Sequence, residues 1–242
     1  MTTPLAHPPT PKTRTYSGVP AEERTRLRKQ RLIEAATDVF GQMGYARATM
    51  RDICGKARLA ERYFYESFTG TPAVFNEVYQ SEVHRLIAAI RQGVMQAPPN
   101  ERGLIEDGLR AFLQFIQEDP RRVQIVLIDG VWMDQMKVRD GQSELASYVE
   151  VIQTLTQGFH PQVSTDIDIQ LAATGLIGMA IHTAIGWART GFAADLESIL
   201  QHNLYAWAGL RYWIKATHSS SQPMASRTER HVWVQEAFKN KV

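Results

Sequence analysis

Apolar residues recur along this chain at i, i+3, i+4 and i+7, and no segment alternates convincingly with period two. The pattern predicts an all-α protein of about nine helices. The first, about Ala21 to Met43, places Leu32, Ile33, Ala36, Val39, Phe40 and Met43 on one stripe. Gly44 is positioned to stop it in a left-handed conformation, and Tyr45 can then fold back on Phe40. Thr49 has the chemistry of an N-cap for a second helix that ends near Ala57, with Asp52 placing negative charge in its first turn. The link Arg58-Leu59-Ala60 leads to a third short helix, about Glu61 to Phe68. Phe40, Ile53, Leu59, Phe64 and Phe68 are the expected interior, and the three helices together form a helix-turn-helix head.

The remaining helices are longer. Thr71 as cap and Pro72 in the first turn open a fourth helix to about Val94, which Pro98-Pro99 breaks. A fifth runs from about Glu101 to Gln117, a short sixth follows Asp119-Pro120 to about Asp129, and a seventh spans about Asp134 to Gly158. The eighth, about Asp166 to Thr190, and the ninth, about Asp195 to Thr217, are apolar on more than one face and need cover on two sides. A second copy of the chain supplies that cover as a four-helix interface with two-fold symmetry; a thick monomer core is the rival. The stretch from Ile169 to Ala188 is uncharged, but its glycines, Gln170 and His182 favour a buried helix over a membrane span. After His218, Ser219 to Pro223 reads as a linker to an apolar tail containing Val232, Trp233, Val234 and Phe238. The expected units are a disordered arm (1–20), the head (21–70), a helical ligand-binding and dimerisation domain (71–218), and the linker with its tail (219–242).

Composition narrows the function. Hydrophobic residues make up 44% of the chain and charged residues 21%, which is ordinary globular usage. A single cysteine, Cys54, excludes an internal disulfide and any cluster of thiolates, and it suits a reducing, cytoplasmic setting. Met1 to Arg14 is rich in Thr and Pro and lacks the apolar core of a secretory signal. Charge is uneven although its total is only +2: residues 1–68 hold 12 Lys/Arg against 7 Asp/Glu, and residues 69–218 hold 11 against 16. A basic head on an acidic body predicts that the head alone meets a polyanion. Arg24, Arg26, Arg28, Lys29 and Arg31 crowd its first helix.

The third helix has the side chains a major-groove reader needs. Arg62 can pair bidentately with guanine, Glu61 can accept from cytosine N4, and Tyr63 can lie against a thymine methyl. Tyr65 and Ser67 offer hydroxyls to phosphate. Beyond the head, chemistry is sparse. No histidine spacing suits a metal, no phosphate-binding glycine loop or nucleophile elbow is present, and neither an enzyme nor a cofactor is expected. Cys54 faces inward as a structural thiol. Phe112, Phe115, Trp132, Met136, Tyr148 and Met179, with His182, are the side chains for an apolar pocket between helices. They equally suit an ordinary core.

The run from Arg31 to Phe68 resembles the DNA-binding head of TetR-type (tetracycline-repressor-like) regulators. The matching residues are Leu32-Ile33, Ala35-Ala36, Phe40, Gly44-Tyr45, Thr49, Arg51-Asp52-Ile53, Ala57, Leu59, Tyr65 and Phe68. The resemblance implies a homodimer bound to a palindromic operator in double-stranded DNA, most often as a repressor, and a body that senses a small apolar or amphipathic effector. Carried over by position, Arg51 lies at the DNA edge, Glu61, Arg62 and Tyr63 read bases, and Tyr65 holds phosphate. With Thr49, Ser67 and Thr71 these make up the expected DNA-binding set. Four positions depart from the pattern: Arg58 replaces a usual Gly, Ala60 a Ser or Thr cap, Ser67 a His and Thr71 a Lys. A helical ligand- or lipid-binding protein with a vestigial head is the alternative that these departures favour.

Overall fold

The computed structural model describes residues 20–98, 100–133 and 167–217, which are helical with short connections and contain no strand. Eight helices follow in order: α1 (Ala21–Met43), α2 (Met50–Ala57), α3 (Glu61–Tyr65), α4 (Thr71–Gln96), α5 (Glu101–Glu118), α6 (Val123–Gly130), α7 (Ile167–Arg189) and α8 (Leu196–Thr217). The last two are the eighth and ninth of the sequence reading. The helix expected over 134–158, nearly all of the arm and the tail lie outside the described residues.

The head is built from local stops and starts. At the end of α1, Gly44 takes φ 77° and its N–H bonds the Phe40 carbonyl at 2.9 Å. The Tyr45 ring then turns back to 6.2 Å from that of Phe40. A full capping box opens α2: Thr49 Oγ1 accepts the Asp52 N–H at 3.2 Å, and the Asp52 carboxylate accepts the Thr49 N–H at 2.9 Å. Arg58 closes α2 at φ 53° and ψ 46°. This left-handed conformation costs an L-residue roughly 1–2 kcal/mol, which explains the usual glycine at this position. No side chain caps α3, which begins after Ala60. It is also shorter than expected, because Ser67 N–H turns in to the Phe64 carbonyl at 3.0 Å and tightens the end.

Thr71 is not the cap of α4. The Gly70 carbonyl accepts the N–H groups of Ala73 and Val74 at 3.1 and 3.4 Å, so Gly70 takes the cap position and Thr71 is the first helical residue. Val74, Phe75 and Val78 on α4 are buried against the head, where the Phe75 ring meets Phe40 edge-on at 5.1 Å and Tyr45 at 4.7 Å. One apolar core therefore runs from Leu32 in α1 to Leu200 in α8.

In the body, α5 packs along α4 and α8 packs on α5 and α7. The short sixth helix exists, but over Val123–Gly130 it is wound as a π-helix, a form concentrated at functional sites. Position 130 must be glycine, since an added Cβ would enter the Tyr79 ring. The turn between α7 and α8 is pinned by Gly191 and Phe192, both at positive φ, and by the Trp187 indole, which donates to Ala194 O at 2.8 Å.

Candidate nucleic-acid interface

Of the five residues in α3, only Phe64 is buried; Glu61, Arg62 and Tyr65 are exposed and Tyr63 is half-buried. This follows from the spacing, since Phe64 and Phe68 face one side and lock the helix onto α1 and α2. Two carboxylates on this short stretch, Glu61 and Glu66, would repel phosphate if left alone. Each is paired with an arginine from another helix: Arg51 of α2 lies 3.4 Å from Glu61, and Arg28 of α1 lies 3.2 Å from Glu66. Arg51 remains 83% exposed, so its charge still faces outward.

The remaining expected contacts divide. Thr49 is exposed, but its hydroxyl is committed to Asp52, to which it donates at 2.6 Å and whose carboxyl it holds below the usual range. Ser67 and Thr71 are half-buried beyond the end of α3. Arg62 donates from Nη2 to the Tyr63 hydroxyl at 2.6 Å, with its guanidinium carbon 4.6 Å from the same ring. The basic run on α1 is largely engaged within the protein. Arg26 pairs with Glu23, Lys29 reaches Glu77 of α4 at 2.8 Å, and Arg31 donates to Ala57 O at 2.7 Å. Among these, Arg26 keeps most of its side chain in solvent.

Sequence reasoning missed the struts between head and body. Asp38 of α1 accepts from Lys56 of α2 at 3.1 Å and from Arg121, which precedes α6 and is also held by Asp119. Lys56 first, then Arg121, holds the Asp38 carboxyl below its ordinary value, and Arg121 does the same for Asp119. Arg121 approaches so closely that a Cβ at Gly41 would strike its side chain. A second strut is the Tyr45 N–H, which donates to the Asp129 carboxylate of α6 at 2.8 Å. Neither the Asp38–Arg121 nor the Tyr45–Asp129 contact has a local spacing that would reveal it; the partners are 83 and 84 residues apart.

The expected ligand set is scattered. Phe112 and Phe115 are buried, with the Arg122 guanidinium 3.7 Å over the Phe115 ring. Trp132 is 55% exposed, Met179 is half-buried, and His182 is exposed with Nδ1 3.0 Å from Gly178 O. Met136 and Tyr148 lie outside the described residues. A cleft of about 190 Å³ opens elsewhere, between α5 and α8, lined by Arg102, Ile105, Gln201, Leu204, Tyr205 and Trp207. The Trp207 Nε1 donor is buried without a partner among the described residues. Cys54 is buried, and burial pushes its thiol above the ordinary range, as a structural cysteine requires. No cluster of His, Cys, Asp or Glu among the described residues is arranged to hold a metal ion.

On α7 the window from Leu171 to Arg189 has a mean hydropathy of 1.4 yet is only 28% buried. An added Cβ at Gly175, Gly178 or Gly186 would meet nothing within 4 Å, and Leu171, Tyr205 and Tyr212 are strongly exposed. This is the two-sided apolar pair read from the sequence, covered on one side among the described residues.

Residues 32–78 match the family described as bacterial regulatory proteins, tetR family. The transcriptional activator FasR of Mycolicibacterium smegmatis is 23% identical over 192 residues, 76% of this chain and 84% of that one. A TetR-like transcriptional regulator from Rhodococcus sp. RHA1 superposes with a TM-score of 0.61 at 24% identity, covering 76% of this chain and 96% of that chain. FadR of Bacillus subtilis, in complex with stearoyl-CoA, superposes with a TM-score of 0.58 at 16% identity, covering 72% and 96% respectively. The matched segment contains the capped α2, the whole of α3 and the first turns of α4 that hold them. Residues 32–78 are thus similar to the head of tetR-family bacterial regulatory proteins, and the chain shares the fold of TetR-like regulators over about three quarters of its length.

Proposed function

We propose that this protein represses transcription as a homodimer on a roughly palindromic operator, and that a small apolar or amphipathic ligand releases it. The observation that carries the reading is α3, a five-residue helix whose polar face is left open while its own Glu61 and the adjoining Glu66 are each paired with an arginine. Arg62, Glu61 and Tyr63 read base edges, Arg51 and Tyr65 meet the backbone, and Thr49, Ser67 and Thr71 border the contact. Two copies joined through the open faces of α7 and α8 present two such helices to successive major grooves, about 34–36 Å apart.

Ligand enters the body, where the α5–α8 cleft with its unpaired indole N–H is the opening that favours an amphipathic molecule. At about 190 Å³ it is small enough to suit one end of a larger molecule. A typical whole-ligand site has roughly 300–1,000 Å³. The stearoyl-CoA in the FadR complex is a ligand of that kind. Ligand favours a body conformation whose heads are wrongly spaced, and α4 with the Asp38–Arg121 and Tyr45–Asp129 struts carries the shift. Ligand and DNA then oppose each other by about 1–3 kcal/mol, reciprocally.

Operator selection from random duplexes tests the core of this reading: recovery of a palindrome with half-sites one helical turn apart is the expected result. Absence of any enriched sequence at low and moderate salt would return the head to the vestigial alternative. The relative FasR is named an activator, which favours the opposite sign as a second reading. Transcription in vitro from a promoter carrying the selected site decides between them, since added protein lowers transcript for a repressor and raises it for an activator.

A further inference from the structure

The crowded arginines of α1 invite assignment to DNA phosphates, but one of them has a different geometry. The Arg28 side chain is only 24% exposed. Its Nη2 donates to Thr25 Oγ1 at 3.0 Å and to the Glu66 carboxylate at 3.2 Å, which ties α1 to the residue just past α3. Its guanidinium carbon lies 4.5 Å from the centre of the Tyr63 ring, and its Nε is buried without a partner among the described residues. The Arg62 guanidinium is 4.6 Å from that same ring. Two cations thus share one aromatic ring on the reading helix, and only one can leave it without freeing the ring.

We propose that Arg28 is a positioning residue for sequence recognition and not a phosphate contact. To read a base, Arg62 must give up the Tyr63 hydroxyl and swing outward. Arg28 stays on the ring by cation–π attraction and on Glu66 through Nη2, so Tyr63 and the end of α3 keep their places when Arg62 departs. Lysine cannot substitute, because a point charge on a flexible stem neither stacks nor pairs in the same plane. Arg26 is the contrast: its side chain is 70% exposed and its carboxylate partner, Glu23, is on its own helix. This inference rests on the proposed reading of α3 as the base-contacting helix.

The test uses the full chain and measures affinity by fluorescence anisotropy for the selected operator and for a scrambled duplex, each across a salt series. Arg28→Gln and Arg28→Lys are expected to weaken operator binding about tenfold. Both should leave scrambled-duplex affinity and the salt slope unchanged. Arg26→Gln is the comparison on the same helix, and its effect should fall on both duplexes alike. If Arg28→Gln weakens both duplexes equally, lowers the salt slope by about one contact and is rescued by Arg28→Lys, Arg28 is a phosphate ligand and the proposal is overturned. No change in either Arg28 variant overturns it too. Fluorine NMR of 3-fluorotyrosine at position 63 decides the point without DNA. One sharp line is expected in the parent, with broadening or a second line in both Arg28 variants and neither in Arg26→Gln. A chain that shows no operator preference refutes the proposed reading of α3, while an unaltered fluorine line refutes the role of Arg28.

Discussion

In the head, α2 has eight residues and α3 five, lengths at which isolated helices are unstable in water, and each is fixed by a device at its end. The devices are a capping box at Thr49, a left-handed Arg58, and arginines that cross from one helix to the next. In the body, α4, α5, α7 and α8 run to 26, 18, 23 and 22 residues and hold together by apolar faces. Charge enters that interior where Arg122 meets Glu82 at 3.0 Å, their side chains 5% and 9% exposed. The contrast teaches where each half is vulnerable. Short helices pinned at their ends present a rigid polar surface and are sensitive at their termini. A body of long helices is sensitive in its interior and at the few polar atoms buried there.

The largest expected effect is in the body. Glu82→Ala leaves the buried Arg122 guanidinium with only the exposed carboxylate of Glu118, and chemical denaturation should show a loss of about 3–5 kcal/mol. A loss below about 1 kcal/mol would mean that Phe115 and Glu118 suffice to hold Arg122, and the contrast with the head would weaken. Next comes the proposed reading face of α3. Arg62→Ala should cost about 1–3 kcal/mol on the selected operator and little on random duplex, without changing the melting temperature. Equal losses on both would move base reading elsewhere.

A cap introduced at the uncapped start of α3 sharpens the comparison from the other direction. Ala60→Ser is expected to stabilise the protein by about 0.5–2 kcal/mol, seen as a higher denaturation midpoint, because it supplies a hydroxyl to the free N–H groups there. The smallest effect concerns the shared Asp38. Its carboxyl and that of Asp119 are depressed in the folded state, so their contribution is complete above the unfolded value near 3.8 and is lost as pH falls through the folded values. Melting temperature should therefore drop on acidification below about pH 4, and less steeply in Asp38→Asn. At neutral pH that substitution should cost no more than about 1 kcal/mol. A parallel acid profile in the variant would remove Asp38 from the account.

The head was legible because its signals are local. Gly44, Thr49 with Asp52, and the Phe64–Phe68 spacing each act within a few residues, and each is where the sequence placed it. Arg58 and Ala60 were visible as departures, and the structure shows their physical content as a left-handed non-glycine and an uncapped start. What escaped were pairings across long separations and one change of helical winding. Nothing near Asp38 announces Arg121, nothing near Tyr45 announces Asp129, and the apolar run Val123–Ile128 reads the same whether it coils as an α- or a π-helix. Burial of Glu82 has no local signal either, because its compensating charge, Arg122, is 40 residues away. The pocket side chains were the least legible, since Phe112 and Phe115 have the same composition whether they line a cavity or fill one.

The aromatic seam of Phe40, Tyr45 and Phe75 has a practical corollary. A cut after Gly70 would strip Phe75 from the rings it covers and bare apolar surface that the intact chain keeps dry. An excised N-terminal fragment would therefore be a poor stand-in for the DNA reader, and footprinting or binding work calls for the uncut polypeptide.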